Sequence, residues 1–402
     1  MTNSIKKIIF LVGICIFTTS IVLGSSYIYS LDLKTNVSSM QTVAPPTFAF
    51  KSAAQILVEP TTGKVIYENN ADEKLLPASV TKIMTLLLTM EAIDSGKLAY
   101  TDKITCSANA SKMGGSQIWF KENEQLSVEE CLKAICVVSA NDVSMAVAEH
   151  IGGSSENFVA MMNNRAKELS MNNTHFMNPH GIDEAEHYTS ARDISIMSSE
   201  LISKHPNILK FTSIWMDTLR GGTFGLTNTN KLIRFYPGAN GLKTGSTSQA
   251  LFNLSGSATK NGLSLIAVVL KAPTAEIRNE EVKQLLDYGF NNYACIKLAK
   301  KDEVIGDVKI EKANIEKVHL KFAEDINNIM DKGQKAEIVK EVKIDKKLLA
   351  PVKATKQIGE VIFKNGENVV YVQKVYIGEN IPKISLSQMY KKMLKNYYIF
   401  LK

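Results

Sequence analysis

The chain is predicted to fold as an α+β protein. An antiparallel sheet flanked by helices comes first, and a small all-β domain follows. Three observations predict this. The stretch 51–295 reads as a hairpin, helical patterns, a second hairpin and a closing helix. The second pair of runs surrounds Asn261-Gly262, a strong hairpin signal. Beyond Cys295, short alternating runs recur between turn signals such as Asn365-Gly366.

In chain order, Lys6 and Lys7 precede an apolar run from Ile8 to Leu23. This reads as a secretory signal over 1–24, with Val22-Leu23-Gly24 as the cleavage site. An uncleaved anchor is the alternative, although Thr18-Thr19-Ser20 interrupts the run and it is short for a span of ~20 apolar residues. Residues 25–50 read as a linker ending in Ala44-Pro45-Pro46-Thr47. Ala53–Val58 and Lys64–Tyr67 form a hairpin about Pro60-Thr61-Thr62-Gly63. Pro77-Ala78-Ser79 opens a helix towards Ile93, apolar on nearly every side and so central, with Gly96 past its end. Ser127-Val128-Glu129-Glu130 is a capping box for a helix ending near Val138. Ser139-Ala140-Asn141 turns the chain, and Asp142 is expected to cap the next helix, to Ile151. Further helices are expected at Glu156–Leu169, Ala191–Lys204 and Ala275–Tyr293. Strands are expected from Gly241 to Gly245, Phe252–Ala258 and Ser264–Leu270. The β-rich domain spans 296–383, and 384–402 is helical again.

Bulk properties narrow the function. The chain has 402 residues, 45% hydrophobic and 22% charged, which suits two globular domains. A net charge of +7 fits nucleic acid, an anionic membrane or an anionic polymer. No nucleic-acid motif supports the first. Export would leave Cys106, Cys131, Cys136 and Cys295, which allow three pairings or four buried thiols, the latter favoured. Six histidines without an H-x-x-x-H pair predict no metal, and no cofactor motif is present.

Three motifs carry chemistry: Ser79-Val80-Thr81-Lys82, Ser139-Ala140-Asn141 and Lys243-Thr244-Gly245. Ser79 alone could be a helix cap. A serine hydroxyl needs a base to attack, and Lys82 lies three residues on, on the same helical face. A lysine is a base only when neutral. Burial and a second cation, Lys243, would both lower its pKa. Ser139 can relay a proton to a leaving group, and Asn141 can hold a substrate amide. Lys243 and Thr244, on an edge strand, suit a carboxylate, and Gly245 leaves room for a substrate backbone.

The ordered triple is the signature of penicillin-binding proteins and class A β-lactamases. Longer blocks sharpen it: Pro77-Ala78-Ser79-Val80-Thr81-Lys82-Ile83-Met84-Thr85, Ser139-Ala140-Asn141-Asp142, Asn178-Pro179-His180-Gly181 and Leu285-Leu286-Asp287-Tyr288-Gly289-Phe290. With these the chain resembles the serine D-alanyl-D-alanine carboxypeptidases, the low-molecular-mass penicillin-binding proteins. The resemblance implies Ser79 as acylated nucleophile, Lys82 as its base and Ser139 as proton shuttle. It implies Asn141 on the substrate amide, and Lys243, Thr244 and Arg278 on the terminal carboxylate. Backbone N–H groups of Ser79 and Ser246 would form the oxyanion hole. Implied partners are a peptidoglycan stem peptide ending in D-Ala-D-Ala and β-lactam antibiotics. Two departures from the family pattern stand out: Asn240 before Gly241 where Asp is common, and Leu251 after Ala250 where Gly is common.

A serine β-lactamase is the nearest rival, but no E-x-x-L-N stretch follows the second motif, and Glu184 and Glu186 lack that context. An inactive peptidoglycan or β-lactam sensor is the other rival, opposed by the intact serine and lysines. Finally, Leu386, Met389, Met393, Tyr397, Phe400 and Leu401 fall near one helical face, with Lys391, Lys392, Lys395 and Lys402 around it. That pattern suits a helix on an anionic membrane surface, which with export would be the outer, cell-wall face of the cytoplasmic membrane; docking on the β-rich domain is the alternative.

Overall fold

In a computed structural model of the chain, residues 29–31, 48–334, 337–345 and 347–400 are described, the side chains of 29–31 and 395–400 excepted. They divide into two compact units. Of the described residues, the larger unit takes in 48–297 and 327–334, and the smaller takes in 29–31, 298–326, 337–345 and 347–400. The chain thus leaves the larger unit near residue 297 and returns to it for 327–334. The expected export signal, most of the expected linker, and Leu401 and Lys402 lie outside the described residues.

A five-stranded antiparallel sheet organises the larger unit. Its strands are β1 (Ala54–Val58), β2 (Val65–Asn69), β3 (Ala239–Thr247), β4 (Leu251–Lys260) and β5 (Leu263–Ala272), in the spatial order β2-β1-β5-β4-β3. β4 and β5 meet at Asn261-Gly262, where φ is +52° and +78°. Asn and Gly tolerate that left-handed backbone, as a two-residue hairpin demands. β3, which carries Lys243-Thr244-Gly245, is an edge strand.

Side chains alternate across the sheet with the strand period of two. Leu57, Leu265, Ala267 and Val269 pack on one face with Val282, Leu285 and Leu286 of the helix Ala275–Asn292. Ile56, Val58, Ile266, Val268 and Leu270 pack on the other face into a helical cluster. That cluster contains helices Lys82–Asp94, Val128–Val138, Asn141–Gly152, Ser155–Glu168 and Ala191–Lys204, called α1 to α5; Ala275–Asn292 is α6.

α1 is the central helix. Lys82 to Met90 are all buried along it. Each fully buried Leu, Ile or Met contributes roughly 1.5–3 kcal/mol. α2 starts on the expected capping box, with Ser127 Oγ accepting from Glu130 N at 3.2 Å and Glu130 Oε2 accepting from Ser127 N at 2.9 Å. Asp142 does not cap α3. Ala140 precedes the helix, and Asp142, its second residue, turns its carboxylate elsewhere. Two short hairpins, Lys103–Thr105 with Gln125–Ser127 and Met216–Leu219 with Phe224–Thr227, escape the sequence pattern because three- and four-residue strands show too little alternation.

Phe48 and Phe50 stack at 4.4 Å and meet Tyr67 edge-on, so the last residues of the expected linker belong to the folded body. Cys106, Cys131, Cys136 and Cys295 are free thiols, the first three buried.

The smaller unit is β-rich. Tyr29–Leu31, Ile338–Ile344, Gln357–Asn365 and Asn368–Tyr376 form one antiparallel sheet in that order. Lys317–Lys321, Val304–Glu311 and Lys347–Leu349 form a second sheet. Val308, Leu320, Val361 and Phe363 are buried in this unit. Leu386–Phe400 is the expected terminal helix. No helix among the described residues is long and apolar enough to cross a membrane.

Gly289 shows how tightly α6 sits on the sheet. A Cβ there would lie 2.4 Å from Leu265 Cδ1 and 3.1 Å from Leu57 Cδ2. Gly289→Val is therefore expected to lower the unfolding free energy by about 1–3 kcal/mol in urea titration, the usual cost of overpacking. No loss would contradict this close seat.

Candidate active site

Ser79 lies in a 3-10 turn, Ala78–Thr81, that leads directly into α1. The turn is set by an unusual backbone: Ala78 has φ +48°. Non-glycine residues adopt that conformation only under constraint. Part of the constraint is Gly181, where φ is +89° and a Cβ would fall 1.9 Å from the Ala78 carbonyl oxygen. Only glycine satisfies both demands.

Lys82 is fully buried, and its Nζ has three partners. It donates to Asn141 Oδ1 at 2.6 Å and to the His180 carbonyl at 2.7 Å. The third partner is Ser79 Oγ, 3.0 Å away. Asn141 Nδ2 donates to the Gly114 carbonyl at 2.7 Å, which fixes the amide so that Oδ1 faces the lysine. Burial holds the Lys82 pKa well below its ordinary value, the Lys243 charge lowers it further, and Asp142 opposes the shift. A neutral amine keeps two N–H groups for the two carbonyls. Its lone pair is then left for the Ser79 hydroxyl proton.

Ser139 ends α2 in a left-handed conformation, φ +66°. Its Oγ is buried and makes no hydrogen bond among the described residues. A buried hydroxyl without a protein partner is rare.

Gly245 lets β3 abut the Ser79 turn. A Cβ there would lie 2.8 Å from Pro77 O and 2.9 Å from the backbone nitrogens of Ser79 and Val80. The missing side chain thus makes room for the protein's own turn, where the sequence reading allotted it to a substrate. Lys243 Nζ donates to the Thr244 carbonyl at 2.8 Å. Burial pushes its pKa down to about 7, with the Cys136 thiol acting against the shift and the Arg278 charge reinforcing it. Ser246 follows, exposed, opposite Phe252 of β4.

Arg278 is buried in the first turns of α6. Its guanidinium donates to Asn279 Oδ1 at 2.9 and 3.1 Å and to the Asn253 carbonyl at 3.5 Å. Asn253 is the β4 partner of Gly245, so Arg278 is anchored one strand over from the motif.

Residues 39–274 match the D-alanyl-D-alanine carboxypeptidase family, Peptidase S11. The chain belongs to this family. Residues 293–383 match the C-terminal domain of penicillin-binding protein 5. The chain is 40% identical to D-alanyl-D-alanine carboxypeptidase DacF of Bacillus subtilis, over 88% of this chain and 91% of that protein. It is 31% identical to DacC of Escherichia coli, over 89% and 90%. Among solved structures, penicillin binding protein 5 of Haemophilus influenzae superposes with a TM-score of 0.71 at 31% identity, over 85% of this chain and all of that one. The fold is accordingly that of the penicillin-binding proteins and β-lactamases, followed by the family's all-β domain.

Within the carboxypeptidase family's frame, several supporting residues come from outside the motifs. Asp142, completely buried, accepts from Ile118 N at 3.1 Å and Phe120 N at 2.9 Å. It pins the loop whose Gly114 and Ser116 carbonyls hold Asn141. Asn178 accepts from Gly181 N at 2.6 Å and donates to Ile182 O and Glu184 Oε1, shaping the loop that offers the His180 carbonyl. Asn-Pro-His-Gly is a turn signal, but nothing in it announces a carbonyl aimed at a lysine. Asn228 and Asn230 are buried and clamp the segment between them. The family departure at Asn240 has a local role: its amide accepts from Ser257 Oγ at 2.7 Å and donates to Thr259 Oγ1 at 3.0 Å. An ionised Asp could only accept here, so the Thr259 hydroxyl would have to reverse and donate. Leu251, the other departure, takes the left-handed φ of +53° that glycine adopts freely.

The low Lys243 pKa has a kinetic consequence. A cation binds a carboxylate more strongly than the neutral amine does. Its cationic form prevails below pH 7 and is lost as pH rises through about 7. The KM for a peptide with a free terminal carboxylate is expected to rise above neutrality in steady-state assays, while that for its carboxamide stays level. Parallel profiles for the two substrates would contradict the role of this lysine.

Proposed function

We propose that this chain removes the terminal D-alanine from peptidoglycan stem peptides ending in D-Ala-D-Ala, through an acyl-enzyme on Ser79. The observation that carries the reading is the buried Lys82 amine, shared between two carbonyl acceptors and the Ser79 hydroxyl. In the reading, Lys82 takes the Ser79 proton as Oγ attacks the penultimate D-alanine carbonyl. Ser79 and Ser246 N–H groups stabilise the oxyanion. The proton passes from Lys82 through Ser139 to the leaving nitrogen, and D-alanine departs. Water then attacks the ester and regenerates Ser79. Asn141 holds the substrate amide, and Lys243 and Thr244 hold the terminal carboxylate with Arg278 in support.

β-lactams are proposed to acylate the same serine. Penicillin-Binding Protein D2 of Listeria monocytogenes, solved in an ampicillin-bound form, is 31% identical over 61% of this chain and superposes with a TM-score of 0.56. Slow release is expected, because the sequence lacks a deacylating E-x-x-L-N glutamate and Glu184 is engaged by Asn178. D-alanine release from a pentapeptide ending in D-Ala-D-Ala tests the reading directly. Ser79→Ala is expected to abolish both release and penicillin labelling, seen by product assay and mass spectrometry. Labelling that survives the substitution would sink the assignment, and rapid sustained penicillin hydrolysis would favour the β-lactamase reading.

Export to the cell-wall side and attachment to the outer face of the cytoplasmic membrane complete the proposal. The basic and apolar residues of 1–24 support export. For attachment, the support is the terminal helix, where Leu386 is 83% exposed and Met393 62%. Such exposure of an apolar face suits a lipid interface better than docking on the β-rich unit. Tyr397 and Phe400 belong to the same predicted face, but their side chains lie outside those described. Deletion from Leu386 onward is expected to move active enzyme from the membrane pellet to the soluble fraction. Unchanged partition would refute attachment by this helix.

A further inference from the structure

Thr229 lies outside every catalytic motif, yet its hydroxyl meets one of them. Thr229 Oγ1 is 2.7 Å from Thr244 Oγ1. The segment around it is held from both sides. Thr229 N donates to the Val137 carbonyl at 3.0 Å, two residues before Ser139. Asn230 Nδ2 donates to the Gly241 carbonyl at 2.9 Å, two residues before Lys243. Asn228 Nδ2 donates to the Ile214 carbonyl at 2.7 Å, and its Oδ1 accepts from Asn230 N at 2.8 Å. Asn228-Thr229-Asn230 therefore bridges the S-x-N turn and the K-T-G strand, with the two asparagines buried and Thr229 exposed.

A threonine hydroxyl has one proton and two lone pairs. If Thr244 donates to Thr229, it meets an incoming carboxylate with lone pairs alone, which repels. If Thr229 donates to Thr244, the Thr244 proton is free for the carboxylate. The chain of hydroxyls then ends on an anion, and each bond polarises the next. Lys243 does not compete, because it bonds the Thr244 main-chain oxygen. Among the described residues, Thr229 is the hydrogen-bond partner of the Thr244 hydroxyl.

We propose that Thr229 donates to Thr244 Oγ1 and so turns the Thr244 proton towards the substrate's terminal carboxylate, making Thr229 a positioning residue that sets specificity for free acids. The inference rests on the assignment of Thr244 to that carboxylate under the proposed function. Ligand discrimination separates this role from simple packing, since a strut would act on acid and amide substrates alike.

The test compares kcat/KM for a tripeptide ending in D-Ala-D-Ala and for its terminal carboxamide. Thr229→Val, which keeps the shape, is expected to lose on the order of five- to tenfold on the acid, through KM, and about nothing on the amide. Thr229→Ser restores the hydroxyl and is expected to return the acid value to within about twofold of the parent. Thr244→Val serves as the reference and should erase most of the preference for the acid. If Thr244→Val erases it and Thr229→Val leaves it intact, the role of Thr229 is refuted while the assignment of Thr244 stands. Equal losses on both substrates in Thr229→Val refute it as well. If Thr244→Val keeps the preference, the carboxylate assignment falls, and the inference falls with it.

Discussion

The site depends on one constraint: an amine taken completely out of water and given only carbonyl oxygens and a serine hydroxyl as partners. Burial disfavours the ammonium form, and among the described residues no carboxylate bonds Lys82 Nζ to restore it. Asp142 is buried nearby, but its oxygens are committed to the backbone N–H groups of Ile118, Phe120 and Val143, so it offers charge without contact. The second cation, Lys243, pushes in the same direction as burial. A lysine in this setting can serve as a base at neutral pH, which an exposed lysine cannot.

Holding that amine still requires more than the three motifs. The Asn141 amide is fixed by the Gly114 carbonyl, and the loop bearing Gly114 is fixed by Asp142. The His180 carbonyl is fixed by a turn built on Asn178, and Gly181 in that turn fits beneath the strained Ala78. Gly245 then brings the edge strand against the same turn. Three elements distant in sequence thus converge on Ser79, each through a position where a larger or less polar residue would not fit. The buried α1 and the sheet beneath it supply the rigid floor on which these contacts are kept.

Much of this was legible in the sequence. α1 reads as central because Ile83, Met84, Leu87, Leu88 and Met90 make it apolar on nearly every side, and all are buried. The β4–β5 hairpin follows from Asn261-Gly262, and the α2 start follows from Ser127 and Glu130. Ser79 and Lys82 meet as their three-residue spacing implies, and Asn141 joins them as the ordered motifs suggest. What escaped detection has a common physical origin. Asp142 looked like a helix cap because a carboxylate near a helix start usually is one; its bonds to residues over twenty positions away have no local signature. The His180 carbonyl is a backbone atom, invisible to residue type. Asn228 and Asn230 resemble ordinary turn residues until their long-range partners are seen. The short hairpin strands are too brief for periodicity to register.

The central claim is that Lys82 is neutral at working pH in the resting enzyme. The most direct test is an NMR titration of the enzyme with lysine labelled at 13Cε, with the Lys82 resonance assigned by its absence in Lys82→Ala. The account predicts a midpoint well below that of an ordinary lysine. A Lys82 resonance that titrates in the usual range, near 10.4, would contradict it.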